Sequence, residues 1–396
     1  MIIYNNLWLA NLLIREEAEK ARNADAISID EQKKIEDKYP VGFYTPNIFI
    51  RVGLFILTCI IVLFSGGLIT LMVSDMHILD TWGYYLFLGI VTYIALEVMI
   101  KSSNHYKSGV DDALMWISGG LFVAVFIIIQ FNTTNDISYS RISFFIFLLA
   151  LYYALRFTDM LMTAVSLLAL IATIFSVWKG LSSWGMSTMP FLIMIVCSGL
   201  YLLSKGLIRK KLTIYYANCL SVVQIISLLL LYFAGNYFIV QSLSTTEAYA
   251  GTYNLGEPRE AKVPFAAFFW IWTIAIPFVY MYLGLRKKDV ILLRSGLLLI
   301  AIAVFTFRTY YNVMPIEGAL CIIGAILLGI SYSVIKYLKT PKYGFTYEDL
   351  NEDNLMDKLK VESLIVSETF SGTQVQNDQT RFGGGNFGGG GASGNF

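Results

Sequence analysis

Charge is scarce in this chain: only 14% of its 396 residues are Asp, Glu, Lys or Arg, where soluble domains carry about 25%. The shortage is concentrated in long apolar runs between Ile50 and Leu338, which excludes a soluble globular protein for that stretch. Histidine is nearly absent. Its two occurrences, His77 and His105, fall on opposite sides of the bilayer in the arrangement derived below, which argues against a histidine-built metal site. The four cysteines, Cys59, Cys197, Cys219 and Cys321, each lie inside an apolar run with no CxxC pair, so they read as small hydrophobes rather than zinc or redox ligands. HExxH, Walker A, GxSxG and GxGD-like aspartate pairs are all missing. The basic residues are dispersed in short membrane-proximal loops, which gives nucleic-acid binding no support. No cofactor is implied.

What is present is apolar length. Hydrophobic residues make up 56% of the chain and the mean hydropathy is +0.62. A spanning helix needs roughly 20 apolar residues, and Gly53–Val73 meets that requirement without a single charge. Spans are predicted near 50–73, 83–100, 113–131, 138–155, 160–178, 190–207, 213–235, 264–285, 290–307 and 318–337. The fold class is therefore all-α: a polytopic transmembrane helical bundle of about ten spans. The fourth and fifth spans share the tight turn Arg156-Phe157-Thr158-Asp159, and a re-entrant hairpin there is the alternative.

Loop charge sets the orientation. Lys101 and Lys107, Arg156, the cluster Lys205-Arg209-Lys210-Lys211, and Arg286-Lys287-Lys288 fall on one side, followed by Lys336, Lys339 and Lys342. The opposite loops hold Arg141, Lys179, Arg259, Lys262 and Arg308. By the positive-inside rule both termini are cytoplasmic. Phe43-Tyr44, Trp82 with Tyr84-Tyr85, Trp178, Trp184 and Tyr310-Tyr311 fall at predicted span ends, where amphipathic rings anchor in the headgroup layer. Met1–Ile14 is apolar but has no basic n-region or clear cleavage site, so the first span is expected to act as an uncleaved signal anchor.

Residues 1–49 read as a cytosolic helical hairpin. Its first helix runs from about Asn5 to Asn23 with Leu9, Leu12, Leu13 and Ala18 on a stripe; the second opens on the capping box Ser28-Ile29-Asp30-Glu31 and ends before Pro40. The hairpin is either a docking module or a helix pair lying against the membrane. Residues 339–381 form a polar cytosolic tail with one short amphipathic segment at Leu355–Val366. Residues 382–396 form a Gly-rich tail that cannot build a packed core and is expected to be disordered.

Ile27-Ser28, Glu31-Gln32 and Tyr39-Pro40, directly ahead of the spans, resemble the N-terminal segment of a bacterial family of multi-pass predicted membrane proteins of unknown function. The tail, with Gly388–Gly391, Ala392-Ser393-Gly394 and Phe396, is similar to the C-termini of TPM-domain membrane proteins, although no TPM domain precedes it. The first resemblance implies a cell inner membrane protein and brings no catalytic residues; the second points to a shared partner or handling machinery, or to convergent low complexity.

Ionisable groups inside a bilayer are costly, so each such residue is a candidate site. Glu97 lies four residues before Lys101 and reads either as a snorkelling ion pair or as a proton-relay carboxylate. Arg294 is placed to snorkel. Arg156 and Asp159, three apart, read as a structural pair in the tight turn. Gln224 follows Asn218 and Ser221 on one face, as helix glue or as a substrate-contacting stripe. The glycine pairs Gly66-Gly67 and Gly119-Gly120 suit close helix packing. On the outer side Arg308, Tyr311 and Glu317, with the long external loop Gln241–Val263, form either a polar vestibule or a solvated rim. Three functions fit: a non-enzymatic scaffold or accessory factor of the cell envelope, a small-molecule or lipid transporter, and an intramembrane enzyme. The partners expected are the lipid bilayer and a protein engaged by the hairpin or the Gly-rich tail.

Overall fold

The computed structural model describes residues 2–23, 26–73, 81–134, 137–181, 185–208, 210–250 and 264–310, with isolated positions between 318 and 336. Among the described residues twelve α-helices with continuous bounds follow in order: α1 Asn6–Asn23, α2 Ile29–Lys38, α3 Ile48–Val73, α4 Trp82–Ser102, α5 Val110–Thr134, α6 Tyr139–Phe157, α7 Met160–Leu181, α8 Gly185–Ile208, α9 Ala217–Gly235, α10 Tyr237–Ala250, α11 Ala266–Lys287 and α12 Val290–Tyr310. Nine of them, α3 to α9 with α11 and α12, are long and apolar enough to cross a membrane by length and composition. The protein is an all-α polytopic bundle. The tenth predicted span lies largely outside the described residues, and its described positions, such as Cys321 and Leu328, are helical. Residues 339–396, with both tails, lie outside the described residues.

Apolar length explains the spans, and short connections explain their pairing. Helices α4 and α5, α6 and α7, α8 and α9, and α11 and α12 pack as successive antiparallel hairpins; α9 then touches α7, α11 and α12. The α6/α7 turn is two residues long, with Thr158 in the left-handed region at φ 49°. Each arm, of 19 and 22 residues, reaches about 30 Å. Both are full-length helices rather than a shallow re-entrant hairpin.

Helix α3 is peripheral. It buries no side chain and leaves Leu63, Phe64, Leu71 and Met72 exposed, the pattern of a helix solvated by lipid. The expected close packing at its glycine pair is not found: a Cβ at Gly66 or Gly67 meets no described atom within 4 Å. The same holds at Gly120. Gly119 alone of the four lies against a neighbour, the Tyr153 ring at 3.2 Å.

The N-terminal hairpin forms as its sequence predicts. Ser28 Oγ accepts from the Glu31 backbone N–H, while the Glu31 carboxylate accepts from the Ser28 backbone N–H at 2.8 Å. Donation from the Ser28 backbone N–H and hydroxyl to the Glu31 carboxylate holds that carboxyl below its usual range. The two helices are tied by Asn11 donating to the Pro40 carbonyl and by Arg15 donating to the carbonyls of Tyr39 and Glu36.

The stretch after α9 departs from expectation. Gln241–Val263 was predicted as an external loop, yet its first part lies in α10, which runs to Ala250. The chain breaks its helix at Asn236, where ψ swings to 125°, then restarts. Asn236 is fully buried. Its amide donates to Tyr232 and Thr306 at 3.1 Å each and its carbonyl caps Phe238 N–H, while Thr273 Oγ1 accepts from Tyr237 N–H. Three helices thus satisfy the groups that the break frees. Gly235 makes room for it: a Cβ there would strike the Met194 methyl and the Trp272 ring.

Candidate functional site

Polar side chains gather at the end of the bundle where α4, α6, α8 and α11 finish and the N-terminal hairpin sits. Residues 103–109, between α4 and α5, build the seat. Asn104, Lys107 and Gly109 all adopt positive φ, at 54°, 50° and 93°. The Asp111 carboxylate holds this coil by accepting from the backbone N–H groups of Lys107 and Ser108 at 2.8 Å each, and from Ser108 Oγ at 2.9 Å. The coil then pairs with the chain entering α3: Tyr44 N–H donates to the Asn104 carbonyl, and Tyr106 N–H to the Tyr44 carbonyl.

Aromatic rings close the seat from above. Tyr4 meets Tyr106 edge-on at 4.9 Å, Phe43 stacks on Tyr106 at 5.0 Å, and Trp8 meets Phe43 edge-on at 5.2 Å. Each such pair contributes ~1 kcal/mol beyond its area. Ile3 N–H reaches the Arg156 carbonyl at 3.2 Å, and Tyr215 OH reaches the Asn6 carbonyl at 3.4 Å. The N-terminal segment is therefore anchored to the α4/α5 coil, to the end of α6 and to the stretch between α8 and α9.

Beneath Tyr4 lies a cleft of about 10 Å³, lined in part by Lys107, Asp111, Asp112 and Asp159, the space of a single water. Arg51 donates to Asp112 at 2.6 and 2.9 Å and ties α3 to α5. Asp159 accepts from Met162 N–H at 2.7 Å and so caps α7. Burial pushes its carboxyl above the usual range, against the opposing pull of that N–H and of Lys107. Burial likewise lifts the Tyr106 hydroxyl to about 12 and the Tyr4 hydroxyl well above its ordinary value.

The expected pairing of Arg156 with Asp159 is replaced by another. Arg156 reaches across to α4 and donates to Glu97 at 2.7 Å, while Lys101 donates to the other Glu97 oxygen at 3.1 Å. Tyr93 OH adds a third donor at 2.9 Å and lies 2.6 Å from Tyr152 OH. Asp159 is turned toward its own helix start, because a carboxylate one residue ahead of a helix is held by that helix's free N–H groups. Glu97 is the hub of an ion-pair network that includes Lys101, four residues on, and one more cation than the sequence suggested.

The remaining candidates do not join this site. Gln224 is buried on α9, one turn from the fully buried Ser227, whose hydroxyl has no hydrogen-bond partner among the described residues. Arg308 lies in the last turn of α12, at the opposite end of the bundle. Tyr311 and Glu317 lie outside the described residues, as does much of the proposed external vestibule. Sequence reasoning missed Arg51, Lys107, Asp111 and Asp112. Their signal was opposite charge at the same predicted end of neighbouring spans, which also marks the Lys205–Asp289 bridge at 2.7 Å. Burial alone would raise the Asp289 carboxyl, but Lys205 and the Leu292 N–H outweigh it and hold it below its usual range.

A cavity of about 180 Å³ opens among α7, α8, α9 and α10, walled by Ile171, Phe175, Pro190, Leu230, Phe233 and Val240 and apolar except for Ser244. Among the described residues no group of three or more His, Cys, Asp or Glu is placed to hold a metal ion. No family model, curated protein or solved structure matches this chain.

Proposed function

We propose that the chain is a non-enzymatic integral membrane scaffold or accessory factor of the cell envelope, with the N-terminal hairpin as its fixed presenting surface. One observation carries this reading. In the described spans every Asp, Glu, Lys and Arg lies within two turns of a helix end, leaving the middle of each span with neutral side chains only. An ion or proton path across a bilayer needs polar or ionisable groups at mid-depth, and one neutral pair there, Ser118 with Tyr153, is engaged in a helix-to-helix bond. Meanwhile α2 buries no residue and projects its charged surface away from the bundle.

A second reading, transport of an apolar or lipid molecule, is favoured by the α9/α10 break and the adjoining apolar cavity. The two readings differ in whether water reaches the middle of α9. With Cys59, Cys197, Cys219 and Cys321 replaced, Ser227→Cys is to be treated with a membrane-impermeant thiol reagent from each side in turn. The scaffold reading expects no reaction from either side. Reaction from one or both sides would favour transport.

A further inference from the structure

Helix α12 has two faces. Leu292, Ser295, Leu299 and Thr306 are buried in the bundle, while Val290, Leu297, Leu298 and Phe305 are exposed on the other side. Arg294 follows Val290 by one helical turn and precedes Leu298 by another, so it falls on the exposed face and is itself exposed. It lies about 6 Å along the helix from Val290, a depth from which an extended guanidinium reaches the phosphate layer.

Other cations near span ends are matched inside the protein: Arg51 by Asp112, Lys101 by Glu97 and Lys205 by Asp289. Arg294 differs. It has no hydrogen bond or ion pair among the described residues, and Asp289, the carboxylate closest to it in sequence, is taken by Lys205 at 2.7 Å. The last turn of α11 lies alongside, because a Cβ at Gly284 would meet the Leu293 nitrogen at 2.8 Å and its Cα at 3.0 Å. That turn brings Arg286 and Lys287, both exposed and both without an ion pair among the described residues. Lys288, in the turn itself, has an interaction of its own and does not enter this balance.

We propose that Arg294 anchors a binding site for an anionic phospholipid on the outer face of the α11/α12 hairpin. The guanidinium takes two phosphate oxygens in its fork of N–H donors, and the start of one acyl chain lies along Leu297 and Leu298. Arg286 and Lys287 supply positive field at the rim. They select a headgroup of net negative charge over a zwitterionic one, whose own cation they repel. The apolar stripe selects a lipid over a soluble phosphate, for which Leu297 and Leu298 offer nothing. This inference does not rest on the scaffold reading: a transporter with the same hairpin would bind the same lipid.

The test is lipid retention by the full-length protein, read by native mass spectrometry after exchange into detergent with dioleoyl phosphatidylglycerol or dioleoyl phosphatidylcholine. The phosphatidylglycerol adduct is expected to dominate. Arg294→Gln is expected to weaken it about fivefold, the worth of ~1 kcal/mol for one interfacial cation. Val290→Glu sets a carboxylate one turn from Arg294, occupies the guanidinium and is expected to weaken the adduct as well; it keeps the test decisive if the first variant does not accumulate. Lys33→Gln, which removes an exposed positive charge from α2, is expected to leave the adduct unchanged. Equal retention of the two lipids, or an adduct no weaker in Arg294→Gln and Val290→Glu than in Lys33→Gln, would overturn the proposal. Displacement of the adduct by millimolar inorganic phosphate would assign the site to a soluble anion and overturn the lipid assignment.

Discussion

Glu97→Ala is expected to destabilise the protein by about 2 kcal/mol, and Lys101→Ala by less than ~1 kcal/mol, although both break the same network. Removing one partner of a fully buried pair costs about 3–5 kcal/mol and of an exposed pair about 0–1 kcal/mol. The side chains of Arg156 and Glu97, 25% and 22% exposed, lie between those limits, whereas Lys101 stands mostly free. Loss of the carboxylate removes the Arg156–Glu97 ion pair and unties α6 from α4 at this level. Apparent melting temperature in detergent reads the difference, and a double-mutant cycle of Glu97→Ala with Arg156→Ala isolates the coupling. Equal, small shifts for Glu97→Ala and Lys101→Ala would show that the Arg156 bond contributes nothing.

Gly109→Ala is expected to cost more, about 3 kcal/mol, for two reasons that add. The residue sits at φ +93°, where an L side chain is strained. A Cβ there would also run into the Arg51 carbonyl oxygen, with the Arg51 carbonyl carbon and the Phe55 nitrogen both at 3.0 Å. All three are backbone atoms of α3 and cannot swing aside as a side chain does. The substitution must push α3 off α5 or shift the coil that carries Tyr106 and Lys107, and either change unseats the N-terminal hairpin. Faster proteolysis of that hairpin in folded protein, with a lowered melting temperature, is the expected result. Gly120→Ala is the control: nothing described lies within 4 Å of its Cβ, and its position inside α5 favours alanine. Two variants of equal stability would contradict the packing at Gly109.

The parts of this fold that were legible in the sequence are those set by local pattern. Apolar length gave the spans, and the spacing of Ser28 and Glu31 gave the start of α2, capping box included. The Glu97–Lys101 pair follows from their separation of four on one helix. What local pattern cannot reach is the partner brought by another helix. Arg156 is three residues from Asp159 in sequence but bonds Glu97, 59 residues away, because packing places α4 beside it. Arg51 and Asp112 are 61 apart, and Lys205 and Asp289 are 84 apart. Helix α10 was unreadable for the same reason. The break before it is tolerated because Thr273 on α11 and Thr306 on α12 satisfy its backbone and Asn236. Glycine pairs were the opposite case, a pattern with a familiar use that Gly66 and Gly67 do not put to work.

The central claim is a multi-pass bundle whose N-terminal hairpin shares one side of the membrane with the turns after α4, α6, α8 and α11. Side-specific labelling of single cysteines at Asp30, at Lys288 in the α11/α12 turn and at Tyr139 at the start of α6 tests it most directly. An impermeant reagent applied to one side is expected to label the first two positions together and to spare the third. Applied to the other side, it should label Tyr139→Cys alone. Labelling of Tyr139→Cys from the same side as Lys288→Cys would contradict the account.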